Sequence, residues 1–540
     1  MKLETFFEKF DQFADAPDAV AKMRELVLQL AVTGRLVTQD KRDEPASVLL
    51  ESTEAERAKL TAAKKIKSRP TSPVESDEHP FDLPSSWAWA RLSDVGYELG
   101  QKVPDKRFTY IDVGGIDSDK GRISDRVEKL EPDDAPSRAR KLVARGTVIY
   151  STVRPYLLNI AIVDQDFDPE PIASTAFGIL HPFVGINNRY LFYWLRSAPF
   201  TAYVQAGMKG MAYPAINDEK FYSGFIALPP LAEQKRIVAK VDELMALCDR
   251  LEAQQQERET RHAALARASL ARFADAPTPA NLHFLFHPSY AIPPADLRKS
   301  ILTLAVQGKL VPQDPNDEPA LTLLDQIAFH KAALTKEGKL RGSTTVKAMA
   351  DDEAEFEIPS NWCWVRFGEI MVNRDGERIP VSKEERETKA KTYDYYGASG
   401  VIDKIDGYLF DKPLLLIGED GANLINRSTP IAFIARGKYW VNNHAHVLDG
   451  ISEDFLRFIE LHINAINLEK YVTGSAQPKM NQAKMNSIPI ALPPLAEQRR
   501  IVAKVEQLMA LVDALEQQLA ASRATAANLL TALVAELTTA

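Results

Sequence analysis

One loop of this 540-residue sequence carries side chains suited to reading nucleic-acid bases. Residues 151–156 follow an apolar, β-type run and place Arg154 before a proline and Tyr156 after it. An arginine guanidinium can donate two hydrogen bonds to guanine O6 and N7, and a tyrosine can hold a phosphate or stack on a base. Arg154 and Tyr156 are therefore candidates for a nucleic-acid contact. The structural alternative for Arg154 is a strand-end cap or an ion pair with a carboxylate.

A second set of candidates lies in two glycine-rich segments, each placed just before a long helical pattern. The first segment supplies Lys209, Tyr213 and Asn217, and the second supplies Gln477, Lys479 and Asn481 at the matching place. Glutamine and asparagine amides can read adenine N6 and N7, and lysine suits phosphate. The alternative for Asn217 and Asn481 is a turn that the asparagine caps. Cations further upstream are weaker candidates, because solvated loop charges are the default. They are Lys102, Lys106, Arg107, Arg374 and Arg378.

Several catalytic motifs are absent from the sequence. There is no G-x-x-x-x-G-K-[ST], no G-x-G-x-x-G, no Asn-Pro-Pro-aromatic tetrapeptide and no H-E-x-x-H. The only cysteines, Cys248 and Cys363, exclude a disulfide framework or a cysteine-built zinc site. Glu419 and Asp420 could suggest a metal nuclease, but a solvated turn is the simpler interpretation. We predict a non-catalytic chain that holds no cofactor or metal of its own.

The charge balance argues against a protein that coats nucleic acid non-specifically. The chain has 66 Lys and Arg against 74 Asp and Glu, a net charge of −8, whereas such proteins are basic. The start of the chain carries acids and lacks a long apolar core, so we predict no signal peptide. The sequence contains no run of about 18 apolar residues, the length that could span a bilayer. These features predict a cytoplasmic, multidomain protein.

The sequence repeats itself around two different inserts. Residues 226–252 and 490–516 are identical at 22 of 27 positions, and residues 23–46 and 297–320 at 14 of 24. The regions between the repeated frames diverge, and each insert is close to neutral, with 17 cations and 17 anions over 83–225 and 16 and 17 over 358–490. Any positive surface on an insert must therefore be local. Two matching frames around different inserts are typical of a protein that reads two targets through one mechanism.

Heptad spacing predicts a long helix after each LPPLAEQ motif. The apolar positions alternate steps of four and three, as in a coiled-coil seam. They are Ile237, Val241, Leu244, Cys248 and Leu251 in the first copy, and Ile501, Val505, Leu508, Val512, Leu515 and Leu519 in the second, continued by Ala526, Leu529 and Leu533. Shorter helices are predicted at 20–33 and 294–307, with Gly34 and Gly308 as stops. Trp87, Trp89, Trp362 and Trp364 alternate on strands and are predicted to be core residues.

These patterns divide the chain into frames, linkers and α+β inserts. The predicted boundaries are a helical frame at 1–67, a linker at 68–82, an insert at 83–228, a long helix at 229–272, a linker at 273–293, a second helical frame at 294–341, a linker at 342–357, a second insert at 358–492 and a final long helix at 493–540.

The doubled LPPLAEQ helices, the AV-x-G-[RK]-LV segments and the Gly-x-Ala-x-Pro…Asn signature resemble HsdS, the specificity subunits of type I restriction-modification systems. The resemblance covers essentially the whole chain. It implies an α+β fold in which two mixed α/β target recognition domains are separated by long helices in an antiparallel coiled coil, with pseudo-twofold internal duplication. Each domain would read one half of a bipartite, asymmetric site on double-stranded DNA.

The resemblance also implies partners and cofactors. Two methyltransferase subunits, HsdM, would dock on the helices and bind the S-adenosylmethionine used for adenine methylation. A restriction subunit, HsdR, would bind ATP and magnesium. A frame of about 80 residues precedes the first insert, whereas many family members begin almost at that domain. The alternative function is a coiled-coil adaptor whose inserts bind other proteins.

Overall fold

The computed structural model describes residues 13, 16, 18–67, 69, 72–208, 214–287, 289–338, 346–349, 356–474 and 477–539. The chain forms two compact units. The first comprises Met1–Glu257 together with Ser522–Ala540, and the second comprises Arg258–Ala521. Each unit therefore contains one predicted insert and parts of both predicted long helices.

The first unit begins with two helices and continues into a mixed α/β domain. The helices are α1 (Ala19–Val32), α2 (Ala46–Ala62), α3 (Leu92–Val95), α4 (Asn188–Leu195), α5 (Ala198–Gly207), α6 (Asp218–Tyr222) and α7 (Leu231–Asp275). The strands are β1 (Ala88–Arg91), β2 (Gly96–Tyr97), β3 (Phe108–Ile111), β4 (Ile116–Asp117), β5 (Arg122–Ile123), β6 (Glu128–Leu130), β7 (Ala139–Leu142), β8 (Val148–Ser151), β9 (Ile160–Ile162), β10 (Pro171–Ser174), β11 (Phe177–Pro182) and β12 (Phe225–Leu228).

Three sheets build this domain. Strands β1 and β12 pair antiparallel and join the two ends of the insert. A six-stranded sheet has the order β2-β11-β8-β9-β5-β4, and a four-stranded sheet has the order β6-β3-β10-β7. Strand β8 is buried at all four residues in the middle of the larger sheet. The loop that leaves β8, which contains Arg154, therefore starts from a rigid position.

The second unit repeats this plan with different strands. Its helices are α8 (Pro279–Leu285), α9 (Pro294–Val306), α10 (Ala320–Lys336), α11 (Phe367–Ile370), α12 (Lys383–Glu387), α13 (Asn423–Asn426), α14 (Glu453–Ala465), α15 (Gln482–Asn486) and α16 (Leu495–Thr539). Its strands are β13 (Cys363–Arg366), β14 (Val372–Asn373), β15 (Tyr393–Gly397), β16 (Gly400–Ile405), β17 (Phe410–Asp411), β18 (Leu414–Gly418), β19 (Ala432–Ala435), β20 (Lys438–Val441), β21 (Ala445–Asp449) and β22 (Pro489–Leu492). The sheets have the orders β13-β22, β14-β21-β18-β19 and β16-β15-β20-β17.

The predicted glycine stops adopt the backbone that a helix end requires. Gly34 has φ +72° and Gly308 has φ +69°, two residues after α1 and α9 end. A Cβ atom on Gly34 would lie 2.6 Å from Pro84, and one on Gly308 would lie 2.5 Å from Pro359. Both glycines are thus required by positive φ and by close packing against the first residues of the insert.

The long helices begin directly after the two prolines of each LPPLAEQ motif and are 45 residues long. In the first unit, Ile237, Val241 and Leu244 belong to one buried apolar cluster, which also contains residues of α1 and the end of α16. In the second unit, Ile501, Val505 and Leu508 share a buried cluster with residues of α9 and the end of α7. Leu251 and Leu515 are half-buried against these clusters. The frame helices α1 and α9 therefore pack on the apolar heptad face of the long helices. The heptad pattern alone does not indicate this contact.

Two details of the predicted helices need correction. The buried residues near the end of α16 are Ala526, Leu530, Leu533 and Leu537, so Leu530 occupies the core position predicted for Leu529, which is only partly buried. The predicted linker at 273–293 contains the end of α7 and the short helix α8. Phe273 and Leu285 are buried there, in the cluster that also contains residues of α9.

The tryptophans lie in the core as predicted. Trp87, Trp362 and Trp364 are buried, and Trp89 is half-buried against Trp194 and Phe225. In the part of the chain that the structure describes, no helix is both long and apolar enough to cross a membrane.

Candidate nucleic-acid interface

In the first unit, backbone hydrogen bonds join the two predicted contact segments. The Arg154 amide donates to the Pro214 carbonyl at 2.8 Å, and the Ile216 amide donates to the Thr152 carbonyl at 2.9 Å. Arg154 itself has φ 46° and ψ 53°, the left-handed region that non-glycine residues rarely occupy. Its side chain is exposed, and the Tyr156 side chain is 45% exposed. The loop after β8 therefore places Arg154 and Tyr156 at the surface, and backbone hydrogen bonds fix its conformation.

The second unit has the same backbone pairing with different side chains. The Gly421 amide donates to the Pro478 carbonyl at 3.0 Å, and the Met480 amide donates to the Glu419 carbonyl at 2.8 Å. Pro214 and Pro478 are equivalent positions of the repeat, so Gly421 occupies the place of Arg154. Gly421 has φ 105°. The same loop frame thus presents an arginine in one domain and a glycine beside Asp420 in the other.

The predicted asparagines cap short helices. The Asn217 side chain accepts a 2.9 Å hydrogen bond from the Lys220 amide, and the Asn481 side chain accepts one of 2.9 Å from the Lys484 amide. This is the turn-capping alternative that the sequence left open for both asparagines. The hydrogen bond also occupies the side-chain oxygen that an adenine contact would use. Lys209 and Tyr213 lie outside the described residues. Gln477 is exposed beside Lys479.

The cations near the start of the first domain differ in their surroundings. Lys102 lies 2.8 Å from Asp105 and 2.9 Å from Glu170, and hydrogen bonds to these carboxylates raise its pKa. Lys106 and Arg107 have exposed side chains, 67% and 60%, and make only long ion pairs of 3.9 and 3.5 Å. Lys106 and Arg107 are therefore the more available of the three for a phosphate.

The arginines of the second domain are held in ion pairs. Arg374 bonds both oxygens of Glu377 at 2.7 Å. Arg378 is 14% exposed and donates to Glu419 at 3.0 Å and to the Ala445 carbonyl at 2.7 Å. Arg374 therefore pairs within its own loop, whereas the sequence could not indicate the contacts of Arg378, because its partners lie 41 and 67 residues away.

Glu419 is not part of the solvated turn predicted for it. Its side chain is only 13% exposed and lies between Arg378 and Lys479, whose Nζ is 3.1 Å away. Burial opposes ionisation, but these two cations outweigh it and lower the pKa of Glu419. Within the described ranges, no group of three or more His, Cys, Asp or Glu residues is arranged to hold a metal ion. Glu419 therefore belongs to an ion-pair network with Arg378 and Lys479, and Asp420 lies 2.8 Å from His444 Nδ1.

A buried histidine, which the sequence analysis did not single out, supports the same loop. His446 is 2% exposed, with Nδ1 2.6 Å from Asp375 Oδ2 and Nε2 3.0 Å from the Met480 carbonyl. Burial disfavours the charged ring, but the hydrogen bond and negative charge of Asp375 outweigh this and raise the pKa of His446. An imidazolium can donate both bonds, so it ties residue 480 to the sheet.

Lys141 makes a comparable buried contact in the first unit. It is 2% exposed, and its Nζ lies 3.2 Å from Glu98 and 2.9 Å from Asp218, the residue after Asn217. No local pattern predicts this contact, because the three residues are far apart in sequence. In both domains a buried basic side chain thus contacts the segment that faces the loop.

Comparison with known proteins identifies the family. The family described as "Type I restriction modification DNA specificity domain" matches residues 84–259 and again residues 359–522. The chain is 29% identical to the type I restriction enzyme EcoEI specificity subunit of Escherichia coli over 560 aligned positions, covering 95% of this chain and 93% of that protein. It is 35% identical to the EcoAI specificity subunit of Escherichia coli over 370 positions, covering 65% and 62% of the two chains.

A solved structure, the HsdS subunit from Thermoanaerobacter tengcongensis, matches 85% of this chain and 98% of its own, with 24% identity and a TM-score of 0.47. The assignment does not depend on that match, because the two family matches together span more than half of the sequence. The chain belongs to the type I restriction-modification DNA specificity family and is a DNA sequence-specificity subunit, not a catalytic one.

Proposed function

We propose that each recognition domain reads one half of a bipartite, asymmetric DNA sequence through its paired loops. In the first domain the contacts come from the loop at 151–156, with Arg154 reading a base and Tyr156, Lys106 and Arg107 holding phosphates. In the second domain they come from Gln477 and Lys479. Arg374 and Arg378 are left out of the proposed contacts because their paired side chains are only 25% and 14% exposed, whereas Lys479 is 53% exposed although it pairs with Glu419.

One observation carries this proposal. The backbone bonds from Arg154 to Pro214 and from Gly421 to Pro478 are equivalent, at 2.8 and 3.0 Å, yet the side chains on the two loops differ. A fixed backbone with variable side chains is what base reading requires, because base contacts specify sequence while the frame sets position. Two different loops predict two different half-sites.

We propose further that α7 and α16 form an antiparallel coiled coil with pseudo-twofold symmetry, which sets the spacing between the half-sites. Both helices have 45 residues. The first unit combines the start of α7 with the end of α16, and the second combines the end of α7 with the start of α16. Each long helix has an exposed middle, at 252–254 and 256–261 in α7 and at 520–525 in α16.

The chain would act as part of a larger complex. Two HsdM methyltransferase subunits would dock on the helices and supply S-adenosylmethionine, and HsdR would supply ATP-dependent and magnesium-dependent cleavage. The alternative, an adaptor that binds only proteins, is disfavoured by membership in a DNA specificity family.

The test is methylation of a random DNA library by this chain combined with its methyltransferase partner. N6-methyladenine should map to one asymmetric sequence with two specified parts and a spacer of constant length. The chain alone should neither bind S-adenosylmethionine nor methylate DNA. A single continuous or palindromic motif would contradict the two-reader proposal, and methylation by the isolated chain would contradict its non-catalytic role.

A further inference from the structure

A basic cleft lies outside the loops described so far. It has a volume of about 510 Å³ and lies in the first unit, where the end of α2, residues 64–67 and Arg69 face β2 and the residues after it. Its wall includes Tyr97, Glu98 and Gln101. The cations that line it are Arg57, Lys64, Lys65, Lys67 and Arg69.

The cations of this cleft are only partly neutralised. Arg57 lies 2.9 Å from Asp94, and Arg69 lies 2.5 Å from Glu98. Lys64, Lys65 and Lys67 are exposed and make no ion pair with any residue in the described part of the chain. Three positive charges thus remain beside the cavity, which suits an anion with several charged groups.

The sequence around the cleft is unusual for this acidic chain. Residues 57–74 contain six Lys and Arg and no Asp or Glu, although the whole chain has a net charge of −8. The two central cations also recur in the second half: helices α2 and α10 match at an offset of 274, and at that offset Lys65 corresponds to Lys339 and Lys67 to Arg341. Duplication has kept positive charge at both positions.

A role in complementing the dipole of α2 does not account for all three lysines. That helix ends at Ala62, and the dipole effect falls off within the last turn of a helix. Lys67 lies five residues beyond the end. The cleft is instead linked to the segment that faces the loop at 151–156, because Glu98 in its wall contacts Lys141 at 3.2 Å and Lys141 contacts Asp218 at 2.9 Å.

We propose that this cleft binds the phosphodiester backbone of DNA beside the half-site read by the first recognition domain, with Lys64, Lys65 and Lys67 as the phosphate contacts. This inference rests on the proposed function. A backbone contact positions the duplex without reading its sequence. Its signature is therefore a loss of affinity that is the same for every DNA sequence and a weaker dependence on salt.

The test uses the complex of the full chain with its methyltransferase partner and a 40-base-pair duplex that contains the methylated motif. The double variant Lys65→Ala/Lys67→Ala is compared with Lys41→Ala/Lys235→Ala, which removes two exposed lysines elsewhere in the first unit. Loss of two phosphate contacts should reduce the slope of log affinity against log salt by about 1.8. The fall in affinity between about 50 and 200 mM salt should then be about 12-fold smaller than for the unaltered complex.

The outcomes separate the two proposals. A reduced slope with an unchanged methylation motif supports the phosphate contact, provided the control pair keeps the original slope. An unchanged slope in Lys65→Ala/Lys67→Ala overturns it, as does weaker assembly with the methyltransferase at constant DNA affinity, which would assign the cleft to a protein partner. Absence of sequence-specific binding by the unaltered complex would instead contradict the proposed function.

Discussion

Gln39 Nε2 donates a 2.6 Å hydrogen bond to Glu233 in the first turn of α7, and the same nitrogen lies 3.1 Å from the Gly34 carbonyl. Gln313 makes the equivalent bonds to Glu497 at 2.6 Å and to Gly308 at 3.2 Å. Each glutamine therefore joins the turn after a frame helix to the start of a long helix. Burial raises the pKa of both Glu233 and Glu497, although the hydrogen bonds from Gln39 to Glu233 and from Gln313 and Trp362 to Glu497 oppose the rise.

Removal of one of these carboxylates should destabilise its unit. In Glu497→Ala, the Trp362 indole, which donates at 2.9 Å, and the Gln313 amide lose their acceptor. Leaving the buried Trp362 indole unpaired costs about 1–3 kcal/mol, whereas Gln313 is exposed and keeps its contact with the Gly308 carbonyl. Amide hydrogen exchange over 308–313 and 495–505 should accelerate. Glu497→Gln, which keeps an acceptor, should be affected less, and the exposed Glu318→Ala should not be affected. Equal exchange in all three would contradict the role of the carboxylate.

The loop at 477–481 should loosen as pH rises. The pKa of His446 is raised in the folded chain, so the stabilisation it provides is complete below its unfolded pKa of about 6.5 and is lost as pH rises through the folded value. Exchange of the Met480 amide should therefore increase from pH 6 to pH 9, after correction for intrinsic exchange rates. His446→Gln cannot titrate and should show little such change. If exchange of the Met480 amide in the unaltered chain did not change with pH, His446 would not be the group that holds this loop.

Arg154 should determine the base at one position of the site. It should contribute little to the affinity for DNA of other sequences. Arg154→Ala should cost about 1–3 kcal/mol on the specific sequence and relax one position of one half-site. Arg154→Gly should lose the same specificity while relieving the left-handed backbone, which costs about 1–2 kcal/mol for a non-glycine residue. The exposed Arg126→Ala serves as a charge-matched control. A uniform loss over all sequences would identify Arg154 as a phosphate contact.

The long helices should determine the spacer length. Insertion of one heptad into the exposed middle of both α7 and α16 lengthens each helix by about 10 Å and preserves the heptad pattern. That equals about three base pairs at 3.4 Å per pair. Methylated motifs should keep both half-sites with a longer spacer. Alternatively, binding should fail because the two recognition domains no longer face their half-sites on the turning DNA helix. Unaltered methylation at the original spacing would show that the long helices do not determine the spacer length.

Much of the fold follows from local patterns in the sequence. Gly34 and Gly308 are found where a left-handed residue must end a helix, and both long helices begin at Leu231 and Leu495 because a Pro-Pro pair precedes them. The position of Leu530 in the core could not be predicted, because heptad spacing allows a shift of one residue when neighbouring leucines occur together. Its burial depends on the other residues of the cluster.

The candidate site was less predictable because its contacts are long-range. The pairing of residue 154 with residue 214 joins segments that are 60 residues apart, and His446 reaches Asp375 over 71 residues. Neither contact leaves a periodic pattern in the sequence. In the sequence, Arg378 and Glu419 lie in separate loops and show no sign of pairing, whereas the fold places their side chains 3.0 Å apart. Sequence patterns report the element a residue lies on, but only the tertiary structure reports its partner.

The central claim is that each domain reads its own half-site, and a domain exchange tests it most directly. Residues 84–227 would be replaced by the corresponding segment of a related specificity subunit, with both long helices and the second domain unchanged. The chimaera, combined with the methyltransferase partner, would methylate a random library, and N6-methyladenine would be mapped by single-molecule sequencing. One half-site should change while the other half-site and the spacer length stay the same. A change in both half-sites, or in neither, would contradict the account.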